Sequence, residues 1–169
     1  MNNMRYLYEN NIKSFLEEEN DSIFGKLVAN FHGKIQTMTI ESWKSEINIM
    51  KNNLSEIGDL EGKIIFEYNI PRLGKRIDVV LLIKGIIFCL EFKVGENIVK
   101  EENIDQVLDY ALDLKNFHRF SQDKVIVPIL IPTKYNFETT EINISAYNDK
   151  IINPLICGES SIYKLINGI

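Results

Sequence analysis

The sequence predicts an α/β domain with a mixed central sheet flanked by helices, and three observations carry that expectation. Residues 39–57 and 101–118 each repeat apolar side chains at helical spacing. Three runs rich in β-branched residues, separated by turn signals, lie between them. A fourth apolar run, 124–131, follows the second helix, so the order is helix, three strands, helix, strand.

With 169 residues and 45% apolar side chains, the chain is expected to form one domain with a real core. An extra N-terminal helical segment (about 4–36) would precede the core (37–133), and an extension (134–169) would follow. No stretch of about eighteen uncharged apolar residues exists, and Met1-Asn2-Asn3-Met4-Arg5 lacks a signal-peptide core. A cytoplasmic protein without membrane contact is the expectation. Cys89 and Cys157 are too far apart in sequence for a paired metal motif and read as reduced thiols. The net charge of −5 argues against a generic nucleic-acid coat. Lys63 to Lys93 nevertheless holds six cations against three anions, so that stretch carries +3 and the rest of the chain −8. A phosphate-seeking patch on an acidic body fits this distribution.

Residues 4–30 read as helical, with Tyr6-Leu7, Ile12, Phe15-Leu16, Ile23 and Leu27-Val28 at helical spacings around the polar run Glu17–Ser22. Asn30–Gln36 is a loop, and His32 within it reads as a surface residue. The helix 39–57 carries Trp43, Ile47, Met50, Leu54 and Ile57 as one stripe. At 100° per residue, Glu46 sits roughly 60° from the middle of that stripe and Glu41 falls on the far side. Glu46 therefore either looks past the core edge toward a buried site or makes a helix-surface contact. Gly58-Asp59-Leu60-Glu61-Gly62-Lys63 has the wrong spacing and the wrong position for a phosphate-binding loop. Lys63–Ile70 is a strand, and Pro71-Arg72-Leu73-Gly74-Lys75 turns into the next one. Glu67 is an unusual charge inside that strand, and the register across the turn decides which face it takes.

The third run is a β-hairpin signal: Arg76–Ile83 and Ile86–Lys93 are joined by Lys84-Gly85. If those two residues are the loop, Ile83 faces Ile86 and Asp78 lies opposite Glu91. Glu91 and Lys93 alternate onto one face, expected to be the face of Asp78. Two adjacent carboxylates repel unless a cation lies between them, and this oxygen-only set suits Mg²⁺ or Mn²⁺ where zinc would need His or Cys.

The helix 101–118 packs Ile104, Val107, Leu108, Ala111 and Leu112 inward, and Gln106, Tyr110, Asp113 and Phe117 form an adjacent stripe. His118 ends it, where an imidazolium complements the helix dipole. The strand 124–131 contains Pro128, which predicts an edge or a bulge there. Beyond Pro132, Tyr135–Ser145 is polar and mixed, 151–156 offers a short strand, and Ser160–Ile166 a last helical turn or two.

Asp78, twelve residues, then Glu91-Phe92-Lys93 resembles motifs II and III of the PD-(D/E)XK nuclease superfamily, with Ile77 in place of the proline. Gln106-x-x-x-Tyr110 resembles the QxxxY element of its RecB-type members. The runs Met4–Tyr8, Phe66–Arg72, Lys75–Leu81 and Asp109–His118 look like a bacterial group in which such a region precedes a Schlafen-group-three-like helicase. The resemblance covers most of residues 4–133 and lacks an ATP-binding loop, so the chain is similar to the nuclease-like part alone, a fragment or a free-standing relative.

The resemblance implies a restriction-endonuclease-like αβββαβ core and Mg²⁺- or Mn²⁺-dependent hydrolysis of DNA. RNA stays open as a substrate, as does a helicase or ATPase partner in repair or defence. Asp78, Glu91, the Phe92 carbonyl and a helix carboxylate, here Glu46, would hold metal, and Lys93 would act on the attacking water. Gln106 and Tyr110 would orient the site, with Glu67 as a second-rank member. Arg72, Lys75 and Arg76 are expected to contact phosphates. The rival readings are a docking module on the same fold without turnover, and a regulatory protein-binding subunit.

Overall fold

A computed structural model of the chain describes residues 5–136 and 150–169. One six-stranded sheet runs in sequence order: β1 (Tyr8–Asn11), β2 (Gly62–Ile70), β3 (Lys75–Ile83), β4 (Ile86–Lys93), β5 (Val125–Pro132) and β6 (Leu155–Ile156). β1 to β4 pair antiparallel, and β4, β5 and β6 pair parallel. A parallel step needs a crossover, supplied between β4 and β5 by α4 (Glu101–Phe117). The fold is α/β with a mixed sheet, and it contains the expected order of helix, three strands, helix and strand. Among the described residues no helix is long and apolar enough to cross a membrane.

Two layers of helices cover the sheet. On one face α1 (Ile12–Glu17), α2 (Asn20–Asn30), α3 (Thr37–Ser55) and α5 (Ile162–Asn167) bury Phe15, Leu27, Trp43, Met50 and Leu165 against Phe66, Leu81, Phe88 and Leu90. On the other, α4 sets Tyr110, Ala111 and Leu114 against Val80, Ile87 and Cys89. The Trp43 stripe of α3 packs as its periodicity dictates. Asn53 on the same helix pins the C-terminal segment: its amide donates to the Glu159 carbonyl at 2.7 Å and its oxygen accepts from Tyr163 N–H at 3.1 Å.

Several expectations are corrected. The N-terminal segment is not all helix, because Tyr8–Asn11 is a strand paired with Lys63–Phe66. Leu7, Tyr8, Ile12 and Phe15 have helical spacing, yet the edge of β2 needs backbone partners, and that requirement wins. Asn11 then caps α1 by accepting from Ser14 N–H at 2.8 Å. Pro128 is neither at an edge nor in a bulge; it pairs with Cys89 in a strand flanked on both sides. Ile126 N–H points to the β6 side, where it meets the Lys150 carbonyl. By alternation the nitrogen of Pro128 faces that side too, level with the break in pairing between Ile151 and β6, so no ladder bond of a regular strand pair is lost there. The buried face of α4 is turned toward Tyr110 and Leu114, leaving Ile104, Leu108 and Leu112 only partly covered. His118 is buried against Tyr68, 3.1 Å from its hydroxyl, and lies 3.4 Å from Asp113. Met4, and all of the polar stretch 135–145 beyond Asn136, lie outside the described residues.

Candidate active site

The β3–β4 hairpin closes on a two-residue turn with φ of +52° at Lys84 and +75° at Gly85, the backbone of a type I′ turn. Ile83 faces Ile86, and pairing continues in that register to Val79 opposite Leu90. There the two strands part. Lys75–Ile77 continue beside β2 alone, whereas Glu91–Lys93 continue beside β5 alone. Asp78 sits in the crotch of this fork, and its carboxylate accepts the Phe92 N–H at 2.8 Å. A side chain replaces the backbone partner that β4 loses where the ladder ends.

The neighbouring strand is distorted at the same level. Phe66 pairs with Val79 and Tyr68 with Ile77, so Glu67 is opposite Asp78, yet these two residues drop out of the pairing. Glu67 has φ of +56°, unusual for a residue with a Cβ inside a strand. Phe66 packs on the α3 side and Tyr68 on the α4 side, although residues two apart in a strand should share a face. Val79 and Ile77 show the same slip. The alternation shifts by one residue at Glu67 and at Asp78, which lets the Glu67 carboxylate turn toward α3. There the Trp43 indole N–H donates to it at 3.1 Å.

α3 contributes a third carboxylate, Glu46, about one turn on from Trp43. Glu46 is only 3% exposed and Glu91 only 5%, and Glu46 Oε2 and Glu91 Oε2 have no hydrogen-bond partner among the described residues. Glu41, by contrast, is exposed. Glu46, Glu67, Asp78 and Glu91 line one cleft of about 420 Å³, with Trp43 and Arg76 among its walls. A hollow of about 860 Å³ lies near Gly62 and Ile12, but its charged lining residues Lys13, Glu17, Asp59 and Glu61 are all exposed. Size alone does not mark the site; convergent buried charge does.

Burial followed by mutual repulsion sets the protonation of this group. Burial, then the charges of Asp78, Glu67 and Glu91, holds the Glu46 carboxyl well above the usual range. Burial and the nearby Glu91 do the same to Asp78. The Glu67 carboxyl is pushed up to about 7 by burial and Asp78, against the opposing pull of Trp43 and Arg76. Burial also raises Glu91, partly offset by Lys93.

Behind Glu91, on the α4 side, a polar chain continues. The Lys93 ammonium lies 3.3 Å from Glu91 Oε1 and 3.3 Å from Gln106 Oε1. The Gln106 amide donates to the Tyr110 hydroxyl at 2.8 Å, and burial pushes that phenol up from its ordinary value. Gln106 and Tyr110 thus join the carboxylates through Lys93 and do not line the cleft itself. Arg76 lines the cleft, its guanidinium 5.2 Å from the centre of the Phe31 ring. Arg72 points elsewhere: it stacks 3.6 Å from the Phe117 ring centre and lies 3.8 Å from Asp113. Lys75 is exposed at the start of β3. Sequence reasoning missed the two groups that aim the acids, the Trp43 indole and the Phe92 N–H. Trp43 holds Glu67, which lies on a different element, so no spacing along the chain signals the first.

Among the described residues no three His, Cys, Asp or Glu side chains come together as a ready metal cage. Mg²⁺ and Mn²⁺ do not require one, since such ions take one or two protein carboxylates and fill their remaining positions with water and substrate oxygens. The all-oxygen donor set and the two orphaned buried carboxylate oxygens fit a hard divalent cation. Comparison with protein-family models, with curated proteins and with solved structures finds no match.

Proposed function

We propose that this chain is a divalent-metal-dependent nuclease domain that hydrolyses phosphodiester bonds of DNA in the cytoplasm. One observation carries the reading: four carboxylates converge where the sheet forks, with Lys93 against one of them. Burying so much like charge is unfavourable in an idle fold, so the arrangement asks for a cation that ordinary packing does not supply.

Asp78, Glu91 and the Phe92 carbonyl would hold Mg²⁺ or Mn²⁺, which supplies electrophilic pull on a phosphoryl oxygen and a lowered pKa for an attacking water. The chain's own groups do the positioning. Phe92 N–H fixes the Asp78 carboxylate. Lys93 has three donors, and Glu91 and Gln106 engage two of them, leaving the third for a water or a phosphate oxygen. Tyr110 fixes the Gln106 amide in turn. Arg76, at the cleft wall, would meet a backbone phosphate, with Lys75 next to it in the chain. Arg72 is occupied by Asp113 and Phe117 and is assigned no phosphate here.

The test is cleavage of labelled single- and double-stranded DNA by purified protein with Mg²⁺, Mn²⁺ or EDTA. Cleavage that requires metal and disappears in Asp78→Asn supports the reading. Intact DNA in every condition, with binding retained, would overturn it in favour of a docking module.

A further inference from the structure

On the α4 side of the sheet, away from the acids, two aromatic rings face solvent. Phe117 ends α4 and Phe120 sits in the short turn Arg119–Ser121 after it. At 54% and 56% exposure they are the phenylalanines more than half exposed among the described residues. Core packing accounts for the others, and two large rings left in water within one turn of chain are unfavourable unless something covers them.

Neither ring is loose. The Arg72 guanidinium stacks 3.6 Å from the centre of the Phe117 ring and lies 3.8 Å from Asp113. Asp113, which is buried, also lies 3.4 Å from the His118 imidazole, whose other nitrogen is 3.1 Å from the Tyr68 hydroxyl. The His118 ring in turn meets Phe120 edge-on, with 6.3 Å between ring centres. A buried acid–imidazole contact adds little stability on its own. Here it fixes Arg72, Phe117 and Phe120 from underneath, and groups already held in place bind a ligand without a further ordering cost.

The charges that accompany the rings are basic at the surface and acidic only beneath it. Arg72 and Arg119 are exposed, and exposed Arg5 hydrogen-bonds the Tyr68 hydroxyl, whereas Asp113 is buried. In a chain of net charge −5, exposed rings among arginines fit a polyanion with flat apolar faces. Base faces are free to stack on such rings only in an unpaired strand, since a duplex stacks them on one another. Arg72 also belongs to the turn that leads through exposed Lys75 to Arg76 in the cleft wall, so cations mark a route over the end of the sheet from one face to the other.

We propose that Phe117, Phe120 and Arg72 form a stacking platform for unpaired nucleotides, which holds a single strand of DNA on the α4 face while an adjoining stretch of it enters the cleft. The choice of DNA and the link to the cleft rest on the nuclease reading, and the platform itself is tested without metal. Fluorescence anisotropy in EDTA follows the full chain binding labelled oligothymidine or a labelled duplex. Phe117→Ala and Phe120→Ala should each weaken single-strand binding about tenfold and change duplex binding less than about twofold. Arg72→Lys keeps the charge, loses the planar guanidinium and should weaken single-strand binding too. Phe120→Trp should keep the affinity, and its emission should be quenched when the strand is added. Single-strand affinity unchanged in both alanine variants, or a bound strand that leaves the new tryptophan unquenched, overturns the platform and leaves metal-dependent cleavage standing. Cleavage absent from the wild type, with single-strand binding still lost in Phe117→Ala, overturns the nuclease reading and leaves the platform standing. A wild type that binds no strand overturns the platform as well, and if it self-associates in sedimentation while Phe117→Ala is monomeric, the rings are a contact between copies of the chain.

Discussion

The two ends of the β3–β4 hairpin are made of the same strands and obey different rules. At the closed end every local preference agrees: the turn is type I′, Ile83 pairs with Ile86, and Leu81 and Phe88 face each other fully buried. At the forked end the ladder stops, alternation slips on two strands, a residue with a Cβ takes a positive φ, and carboxylates enter the interior. Agreement across levels is what makes a sequence fold, and departures concentrate where a protein does something other than fold. The closed end thus reads as the foundation and the forked end as the work surface.

The comparison breaks most visibly if the two ends are mutated in turn. Lys93→Met and Asp78→Asn, at the fork, should each reduce Mg²⁺-dependent DNA cleavage by about 10³-fold or more while leaving the denaturation midpoint near wild type. Leu81→Ala, in the closed half, should lower stability by about 3–4 kcal/mol in urea titration, because a fully buried side chain leaves a cavity between β2 and β4. Its cleavage rate at low temperature, where it stays folded, should be close to wild type. An active Lys93→Met, or an inactive but folded Leu81→Ala, would erase the division of labour.

Next in size is a pH effect confined to the fork. A carboxyl raised in the folded state holds its proton more tightly there than in the unfolded chain. Its contribution is fully present below the unfolded value of about 4.3 and is lost as pH rises through the folded value. Glu67 has that folded value at about 7, and Glu46, Asp78 and Glu91 shift in the same direction. Metal-free protein should therefore lose on the order of 2 kcal/mol of stability between about pH 5 and pH 8. Mn²⁺ should restore it, since the ion binds the folded state. Glu18, held down to about 2 by Lys26, Ser22 and Tyr8 against the effect of burial, works the other way only below about pH 4. Glu67→Gln should flatten the slope and Leu81→Ala should not. A flat wild-type profile in EDTA would mean the carboxylates are not desolvated as placed.

How much of this could be read in advance follows the same boundary. The closed end was legible: Lys84-Gly85 between two apolar runs fixes the loop, and the loop fixes the register. Asp78, Glu91 and Lys93 follow from that register, and Glu46 follows from the angle it makes with the Trp43 stripe. What could not be read is what breaks periodicity. The simple pairing puts Asp78 and Glu91 on one face, whereas the parting of the strands at Val79 makes the carboxylate of Asp78 a partner for the Phe92 N–H. Glu67 takes the α3 face through a φ value that no alternation rule contains. β1 was hidden because four residues are too few to show a period of two against the helical spacing around them. Arg72, in the turn before the strand that bears Asp78, is drawn to α4 by Asp113 and Phe117, partners on a distant stretch of the chain.

The smallest expected effect sharpens the contrast most, because it compares one kind of backbone at both ends. Lys84 and Glu67 each have a Cβ and a positive φ. Asparagine tolerates that conformation better than either. Lys84→Asn relieves strain in an exposed turn with nothing else to lose, and should raise stability by about 0.5 kcal/mol with cleavage unchanged. Glu67→Asn relieves the same strain but shortens the side chain away from the Trp43 indole, giving up a hydrogen bond of about 1 kcal/mol. At about pH 5, where Glu67 holds its proton, the loss should exceed the gain by about 0.5 kcal/mol. Urea midpoints of the two variants measured side by side decide it. If Glu67→Asn gains as much as Lys84→Asn, Trp43 is not what holds Glu67 in its turn toward α3, and the forked end is strained without being braced.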